Sequence, residues 1–360
     1  MTALRRLTVK GFKSIRALEE FELRKLNVLI GPNGAGKSNF IGLFRMLAET
    51  VERRLQLFVQ QEDGPDALLF GSRKETSKLV AEFYFGRNGY RITLEPAGQR
   101  LVFSREQTWF EGDFVTTPHS LGSGHEEAKL GEVEDDTFSR YVLPAIKGWR
   151  VFHFHDTSRS APIRQSQPAR DNLSLKPDAA NLAPFLRFLR ERHTEHFERI
   201  VDAVRIVAPF FLDFVYRKDA SDQVELEWFE VDRPDTPVGV RQLSDGTLRF
   251  IALATLLLQP ERLQPATILI DEPELGLHPA AIAALGAMLR QASGTKQIIV
   301  STQSPQLINE FEPEDVIVVD RVNGESLFGR LDRELLKEWL EDYALADLWN
   351  MNVLGGRPRG

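Results

Sequence analysis

The chain has 360 residues, of which 42% are hydrophobic and 27% charged, so it can bury a core and does not have the composition of a disordered protein. Its 52 acidic and 45 basic residues give a net charge of −7, which argues against a strongly basic nucleic-acid-binding protein but permits a local basic groove. It has no cysteine, which excludes disulfides and thiolate zinc sites and suits the cytoplasm. Residues 251–258, the longest nearly continuous apolar run, are too few to span a bilayer, and the N-terminus lacks the apolar segment of a secretion signal.

The N-terminal segment predicts the order strand, turn, strand, loop, helix. Residues 4–15 and 21–30 have strand-like patterns, and the second segment ends in a continuous apolar run, as a buried strand does. After a glycine-rich stretch, large apolar side chains recur at helical spacing, at Phe40, Leu43, Phe44 and Leu47. We therefore expect this helix to present one face to the core.

The glycine-rich stretch at 31–38, GPNGAGKS, matches the phosphate-binding pattern G-x-x-x-x-G-K-[ST] in full. Its glycines allow the backbone to curl so that successive N–H groups face an anion, and the N-terminus of the next helix adds a partial positive charge. In this pattern Lys37 reaches the β- and γ-phosphates, and the Ser38 hydroxyl binds Mg²⁺. The segment therefore predicts a nucleotide site with these residues: Gly31, Pro32, Asn33, Gly34, Ala35, Gly36, Lys37, Ser38 and Asn39.

The middle of the chain is less informative. Asn88-Gly89 lies between two strand-like segments and predicts a hairpin, whereas residues 111–138 are rich in glycine, threonine and acids and predict a loose loop. Residues 149–156 predict a strand that leads into a polar loop. Residues 181–207 predict a helix that is too short and irregular for a long coiled coil. Two strand-like segments, FLDFVYR and QVELEWFEV, follow it and predict another hairpin.

Two weaker patterns follow the strand predicted at 149–156. His153-x-His155-Asp156 is compatible with metal binding but lacks further ligands, so an ordinary strand end is favoured. Arginines in the next loop could contact nucleic acid or a phosphate, although a solvated loop is slightly favoured. These arginines are Arg159, Arg164 and Arg170.

An apolar strand predicted at 266–271 ends in an acidic pair. In a nucleotide site Asp271 would hold Mg²⁺ directly or through water, and Glu272 would position and polarise the attacking water. Such a pair also occurs at ordinary strand ends and helix starts. The complete phosphate-binding loop in the same chain favours the functional interpretation.

The last third alternates helices and apolar strands. Residues 243–250, LSDGTLRF, precede a run that is apolar on every side, as a buried helix is, although Ser244 and Asp245 are also ordinary helix-start residues. A second apolar strand is predicted at 297–302. Asn323-Gly324 predicts one more hairpin, and a helix is expected near 335–349. This alternation predicts an α/β fold with a mainly parallel sheet.

The order of these segments resembles that of the ABC-type ATPases grouped with SMC, RecF and OLD-like proteins, the AAA_21 type, which are not transporters. The segments that carry the resemblance are GFKSI at 11–15, GPNGAGKSNF at 31–40, LSDGTLRF at 243–250, DEPELGLHP at 271–279 and STQSP at 301–305. Residues 339–358 are similar to the tail of one small branch of this group, whereas residues 51–150 carry little of the resemblance.

The resemblance implies one P-loop NTPase head, with a mainly parallel core sheet, an antiparallel β subdomain and a short helical lobe. On this basis the whole chain, 1–360, divides into a nucleotide-binding core from 1–50 and 240–334, an inserted lobe from 51–239 and a helical tail from 335–360. In this group the strand that enters the lobe leads to a glutamine that senses Mg²⁺ and the γ-phosphate. Gln165 and Gln167 are both candidates for it.

The resemblance also implies a dimer in which each ATP lies between the P-loop of one subunit and the LSDG segment of the other. Ser244 and the backbone of Gly246 would contact the γ-phosphate across the interface, and residues 276–278 would line it. Asp245 stands where the transporter motif has glycine. Gln303 stands where many relatives have histidine; it can donate a hydrogen bond to the γ-phosphate but cannot become a cation, so we expect slow turnover.

The resulting hypothesis is a cytoplasmic ATPase that uses Mg-ATP to dimerise, in DNA maintenance and repair or in anti-phage defence. Its expected catalytic residues are Lys37, Glu272 and Gln303, and its expected partners are a second copy, a separately encoded nuclease or other effector, and DNA. Two alternatives are kept. A transporter's nucleotide-binding subunit is disfavoured by the LSDG and EPELGLHP segments, and a scaffold with negligible hydrolysis is disfavoured by Glu272 but left open by Gln303.

Overall fold

The computed structural model of the chain describes residues 3–112, 116–132, 139–217 and 222–355. Its strands are β1 (Arg6–Phe12), β2 (Ile15–Glu22), β3 (Leu26–Ile30), β4 (Leu79–Phe85), β5 (Asn88–Ala97), β6 (Arg100–Glu111), β7 (Thr116–Gly122), β8 (Trp149–Phe152), β9 (Gln167–Pro168), β10 (Phe211–Val215), β11 (Gln223–Val224), β12 (Glu227–Glu230), β13 (Arg233–Gly239), β14 (Thr267–Asp271), β15 (Gln297–Thr302), β16 (Val316–Val322) and β17 (Glu325–Arg330).

The α-helices in the same ranges are α1 (Lys37–Val51), α2 (Leu55–Gln61), α3 (Pro65–Leu68), α4 (Ser139–Lys147), α5 (Leu182–Arg192), α6 (Thr194–Val207), α7 (Asp245–Leu258), α8 (Pro279–Ser293), α9 (Pro305–Ile308), α10 (Arg333–Leu340) and α11 (Leu345–Asn350). Within the part of the chain that the structure describes, no helix is both long and apolar enough to cross a membrane.

A six-stranded sheet with the order β17-β16-β3-β15-β14-β8 forms the centre of the molecule. Its strands pair in parallel from β16 to β8, and only β17 is antiparallel to its neighbour. Every residue of β3 and β15 is buried, which is why the centre of each strand is apolar in the sequence. Because β3, β14 and β15 are parallel, the segments that follow them meet at one edge of the sheet.

The central sheet has a separate apolar core on each face. Val28 of β3 packs with residues of α5 to α8, whereas the next residue, Leu29, packs with α1 and with a second, antiparallel sheet. That second sheet has the order β2-β1-β4-β5-β6-β7. The α/β fold with a mainly parallel core sheet and an antiparallel β subdomain is therefore confirmed.

The predicted hairpins form, but one of them turns at different residues. Phe85 pairs with Asn88, so Gly86 and Arg87 make the turn between β4 and β5. Gly89 lies inside the strand, where an added Cβ would be 2.0 Å from the Trp109 side chain, so packing requires this glycine. In contrast, Asn323 and Gly324 do form the turn between β16 and β17, with φ values of 52° and 84° that suit a type I′ turn. The predicted pairing of FLDFVYR with QVELEWFEV is confirmed between β10 and β12.

Two predicted elements are divided in the structure. Residues 4–15 and 21–30 contain three strands, because the chain turns after β1 at Lys13, whose φ is 48°. The helix predicted at 181–207 is two helices, α5 and α6, with His193 between them.

Other predicted boundaries shift. The loose loop predicted at 111–138 contains strand β7, and 113–115 and 133–138 lie outside the described residues. The helix expected near 335–349 is two helices, α10 and α11, and residues 356–360 also lie outside the described part.

Residues 51–239, expected as an inserted lobe, contribute to both sheets. Within them, β8 pairs in parallel with β14 and is the edge strand of the central sheet. It ends at Phe152, before the end predicted at 156. Conversely, β1 and β2 from the N-terminal segment belong to the antiparallel sheet with β4 to β7. Strand pairing, which brings together distant segments, thus cuts across the boundaries expected from the sequence.

Candidate functional site

The loop between β3 and α1 is packed tightly against the β16–β17 hairpin. An added Cβ at Gly31 would lie 2.2 Å from the carbonyl oxygen of Val319, and one at Gly36 would lie 2.0 Å from Ser326 Oγ. Gly36 also has a φ of 115°, which favours glycine. Asn33 and Ser38 are exposed, so the loop has one face against the protein and one face toward solvent.

Lys37, the first residue of α1, is only 4% exposed. Its Nζ donates hydrogen bonds to the carbonyl oxygens of Gly31 at 2.7 Å and Pro32 at 3.1 Å. Burial lowers the pKa of Lys37, while the nearby carboxylates of Glu272, Asp271 and Glu274 oppose this effect. An ammonium group has three N–H donors, so one remains for an anion at the loop.

A chain of hydrogen bonds connects the loop to the N-terminal motif at 11–15. Asn39 Nδ2 donates to Ser14 Oγ at 2.7 Å, the Ser14 and Ser326 hydroxyls lie 2.6 Å apart, and Ser326 Oγ donates to the Ala35 carbonyl at 2.5 Å. Because each hydroxyl has one hydrogen, the bonds run from Asn39 through Ser14 and Ser326 to Ala35. Ser14 is thus a supporting residue of the loop, and its only sequence signal is its place in GFKSI.

Asp271 is the last residue of β14, and Glu272 follows it at the same edge of the sheet. Ser301 Oγ donates a hydrogen bond to Asp271 Oδ1, and His155 Nε2 donates to the Asp271 carbonyl at 2.9 Å. Glu272 has a φ of 45°, which is uncommon for a residue other than glycine, and its N–H donates to the Ser301 carbonyl at 2.9 Å. Gln303 Nε2 donates to Glu272 Oε1. The acidic pair is therefore held by the neighbouring strand β15.

Ser38 and Asp271 line one cleft of about 880 Å³, which runs along the outer side of α1. His153 and His155 line the same cleft. Among the described residues, no group of three or more His, Asp or Glu side chains is placed to hold a metal ion, so 153–156 do not form such a site. Mg²⁺ uses few protein ligands together with phosphate oxygens and water, so the pair of Ser38 and Asp271 fits it.

Ser244 is the N-cap of α7, and its Oγ accepts a hydrogen bond from Thr247 N at 3.1 Å. The residue is exposed, and among the described hydrogen bonds none connects it to residues 31–39 of the same chain. Gly246, in the first turn of α7, lies against the segment after β14, because an added Cβ would be 2.4 Å from the Gly276 carbonyl. The structure therefore brings LSDG beside residues 276–278 and away from hydrogen-bonding contact with the loop.

Arg164 corrects the expectation of a solvated-loop arginine. It is 5% exposed, and it donates to the Thr157 carbonyl at 2.7 Å, to the Val240 carbonyl at 2.6 Å and to Asp245 Oδ1 at 2.7 Å. The hydrogen bond from Arg164 holds the pKa of Asp245 below its usual range. Arg164 thus holds the LSDG segment in place, whereas Arg159 and Arg170 of the same loop are both exposed.

The structure brings neither candidate glutamine to the acidic pair by a hydrogen bond. Gln165 Nε2 donates to the Arg159 carbonyl and Gln167 Nε2 to the Pro162 carbonyl, both at 3.0 Å, so each bond is local to the polar loop. The residue of this region that contacts the acidic pair is His155. In the sequence His155 lies at the end of a predicted strand. That position does not show that β14, which carries Asp271, is the neighbouring strand.

Glu274 is a residue of the site that the sequence patterns did not single out. Its Oε1 accepts hydrogen bonds from Thr302 Oγ1 at 2.7 Å and from Gln303 N at 3.0 Å. Its position in DEPELGLHP was the only signal, because the partners lie on another strand. The site thus contains a third carboxylate besides Asp271 and Glu272.

Comparisons with known proteins agree with this arrangement. The family model AAA_21, described as "AAA domain, putative AbiEii toxin, Type IV TA system", matches residues 26–309. No curated protein matches the chain significantly. A solved SMC head bound to the C-winged helix domain of ScpA is 16% identical, with a TM-score of 0.64 over 92% of this chain and 99% of that one.

A second similar structure is the Smc head domain with an extended coiled coil, bound to the C-terminal domain of ScpA, from Pyrococcus furiosus. It is 15% identical, with a TM-score of 0.57 over 95% of this chain and 99% of that one. At these identities the likeness shows the fold, which is that of an SMC head.

Proposed function

Since the chain belongs to the AAA_21 family and has the fold of an SMC head, we propose that it binds and hydrolyses Mg-ATP and that ATP joins two copies. The observation that carries the proposal is the meeting of the phosphate-binding loop, the acidic pair and Gln303 at one edge of the parallel sheet. The strands that precede these segments, β3, β14 and β15, lie side by side in parallel, and phosphate is the ligand that loops of this kind bind.

The loop residues Gly31, Pro32, Asn33, Gly34, Ala35, Gly36, Lys37, Ser38 and Asn39 would bind the phosphates. Lys37 supplies a buried positive charge with one donor still available, and Ser38 and Asp271 would hold Mg²⁺ in the cleft that they share. Mg²⁺ bound with ATP would offset the negative charge of the phosphate oxygens.

Glu272 would polarise the attacking water, because a carboxylate at this position can accept a proton from it. In the structure one of its oxygens accepts a hydrogen bond from Gln303 Nε2. The amide that we expected at the γ-phosphate is therefore engaged with Glu272. The bond fixes the position of the Glu272 carboxylate, but Gln303 cannot carry a positive charge at the γ-phosphate, so we propose slow turnover.

The same hydrogen bond favours a second candidate, a scaffold that binds ATP with negligible hydrolysis. Gln303 cannot carry a positive charge, and while its amide is bonded to Glu272 it is not available to contact the γ-phosphate. The two candidates differ only in the rate of hydrolysis. Both need nucleotide binding by the loop.

We place the second nucleotide contact on Ser244 and Gly246 of another copy. Ser244 is exposed at the N-terminus of α7, and this helix start has a partial positive charge that suits a phosphate. Gly276 lies beside Gly246, so residues 276–278 would belong to the same interface. The contact would form only when two chains face each other.

The biological role that we propose is anti-phage defence or DNA maintenance in the cytoplasm, with a separate nuclease or other effector and DNA as partners. The family description, with its toxin and toxin–antitoxin terms, supports the defence role. The two similar SMC heads are each bound to a domain of ScpA, which supports a head of this fold having a protein partner.

The first test measures the mass of the wild type and of Glu272→Gln in solution, with and without Mg-ATP, together with phosphate release. We expect Glu272→Gln to be a dimer with ATP, and the wild type to hydrolyse ATP and return to monomer. Lys37→Ala is the matched control and should neither bind ATP nor dimerise. A Glu272→Gln mass that does not respond to bound ATP would contradict the dimer, and a dimeric wild type without phosphate release would favour the scaffold.

A further inference from the structure

Glu274 connects two strand ends of the central sheet. It follows Asp271 by three residues, and its Oε1 accepts hydrogen bonds from Thr302 Oγ1 at 2.7 Å and from Gln303 N at 3.0 Å. Thr302 is the last residue of β15, so this one oxygen fixes the point where the strand ends. Ser304 N donates to Thr302 Oγ1 at 3.0 Å and continues the same set of bonds.

Gln303 is thereby held at two points by two carboxylates. Its backbone N–H donates to Glu274, and its side-chain Nε2 donates to Glu272. Glu272 has a φ of 45°, and a residue keeps such a conformation only when its surroundings determine it strongly. Because the Gln303 backbone is fixed, its side-chain amide is held within hydrogen-bonding distance of the Glu272 carboxylate.

The carboxylate of Glu274 is largely buried, and a buried carboxylate is an energetically unfavourable group for holding a strand end. Its Oε2 is a buried atom with no hydrogen-bond partner among the described residues, and burial raises the pKa of Glu274. An apolar side chain could fill the same space without leaving an acceptor unpaired. A carboxylate at this position has a purpose if the site requires Gln303 to be held in place.

We propose that Glu274 is a positioning residue for ATP hydrolysis, which fixes the Thr302–Gln303 junction so that the Gln303 amide is aimed at Glu272. This inference rests on the proposed function, because the aim of Gln303 matters only if Glu272 acts on water. Glu274 acts through Gln303 and does not contact the nucleotide. Its removal should therefore change turnover more than ATP affinity.

The experiment compares Glu274→Ala with Glu274→Gln in the full chain. Glutamine keeps the oxygen that accepts both hydrogen bonds, whereas alanine removes it. We expect kcat to fall by about tenfold to a hundredfold in Glu274→Ala, because the geometry of a catalytic group is lost. We expect the kcat of Glu274→Gln to stay within about threefold of the wild-type value, since both hydrogen bonds to the accepting oxygen are kept. The Kd for Mg-ATP should stay within about threefold in both variants.

Glu127→Ala is the matched control. Glu127 also accepts two backbone hydrogen bonds, from Leu55 N at 2.8 Å and Gln56 N at 3.0 Å, but these donors are the first residues of α2. It should lose stability without a change in kcat. Equal loss of kcat in Glu274→Ala and Glu127→Ala would overturn the positioning role.

A double-mutant cycle asks whether Glu274 acts through Gln303. In a Gln303→Ala background, Glu274→Ala should have no further effect on kcat, because the side chain that it aims is gone. Additive effects would overturn the proposal. So would a Glu274→Gln variant as slow as Glu274→Ala, because the charge would then be what matters.

Hydrogen exchange tests the positioning without any activity. The backbone N–H of Gln303 should exchange at least about tenfold faster in Glu274→Ala than in the wild type, since a free N–H exchanges faster than a hydrogen-bonded one. In Glu274→Gln it should exchange at the wild-type rate. Unchanged exchange in Glu274→Ala would overturn the proposal. If the wild type does not release phosphate, hydrolysis fails as a proposed function while this exchange result still decides whether Glu274 positions Gln303.

Discussion

The hydroxyl groups of Ser14 and Ser326 lie 2.6 Å apart, although 312 residues separate the two in the chain. Ser326 also donates to the carbonyl of Ala35, in the middle of the phosphate-binding loop. The loop is therefore held by residues from both ends of the sequence, and its conformation depends on the completed sheet.

Ser14→Ala should weaken the binding of Mg-ATP by about threefold to tenfold, the effect of one lost hydrogen bond in the chain that supports the loop. Isothermal titration calorimetry measures it. Ser293→Ala is the control, because the Ser293 hydroxyl bonds to the Arg290 carbonyl at an exposed helix end. Equal affinity in Ser14→Ala and Ser293→Ala would show that the loop does not need this support.

Gly246→Ala should lower the free energy of unfolding by about 1–3 kcal/mol, because the new Cβ would meet the Gly276 carbonyl at 2.4 Å and the backbone must shift. It should also weaken the ATP-dependent dimer, since both segments belong to the proposed interface. Gly239→Ala is the matched control, with no atom within 4 Å of its Cβ. Chemical denaturation of the two variants tests this, and equal stability would contradict the close contact.

Arg164→Ala should lower the free energy of unfolding by at least about 2 kcal/mol, because it removes the donor to the Thr157 carbonyl and three further hydrogen bonds, to Val240, Leu243 and Asp245. Arg159→Ala, in the same loop but at an exposed position, should change it by less than about 0.5 kcal/mol. Thermal and urea unfolding of both variants give the comparison. A similar small effect for Arg164→Ala would mean that the loop and the LSDG segment are stable without this guanidinium.

Gln303→His should raise the rate of hydrolysis by at least about tenfold, because histidine can carry a positive charge and can take up a proton, which glutamine cannot do. Steady-state phosphate release measures it, with Gln303→Ala as the variant that removes the bond to Glu272 without adding a cation. A Gln303→His rate no higher than that of the wild type would refute the explanation of slow turnover by this residue.

The stability of the nucleotide-free protein should depend on the protonation of Glu274. Burial raises its pKa above the value of 4.5 that it has when exposed, so the folded state binds the proton more tightly than the unfolded state does. Its contribution is fully present below pH 4.5 and is lost as pH rises through the folded-state pKa. Urea unfolding across this window should show Glu274→Gln gaining stability relative to the wild type as pH rises. A constant difference would contradict the raised pKa.

Some features could be predicted from the sequence because they depend on local residue order. The strands β3, β14 and β15 each contain a short apolar run, and residues 31–38 have the glycine spacing and flanking elements that a phosphate loop needs. The turn at Asn323-Gly324 follows from the backbone angles that these residues tolerate. The fold class followed from the same patterns and from the resemblance.

Other features could not be predicted, because their partners come from another part of the chain. The burial of Arg164 depends on carbonyl groups near Val240, which the sequence of its own loop does not reveal. The turn of the β4–β5 hairpin at Gly86 depends on where Trp109 packs against Gly89. The placement of β8 in the central sheet depends on pairing with β14, which is distant in sequence.

The sequence by itself thus determined the chemistry available to this protein: the phosphate-binding loop, the acidic pair and the order of the segments around them. Only the tertiary structure decided how that chemistry is held, with Ser14 and Ser326 beneath the loop and Glu274 behind Gln303. The physical reason is that residue type and local spacing specify which groups are present. Hydrogen-bond partners are specified by which strands and loops pack side by side.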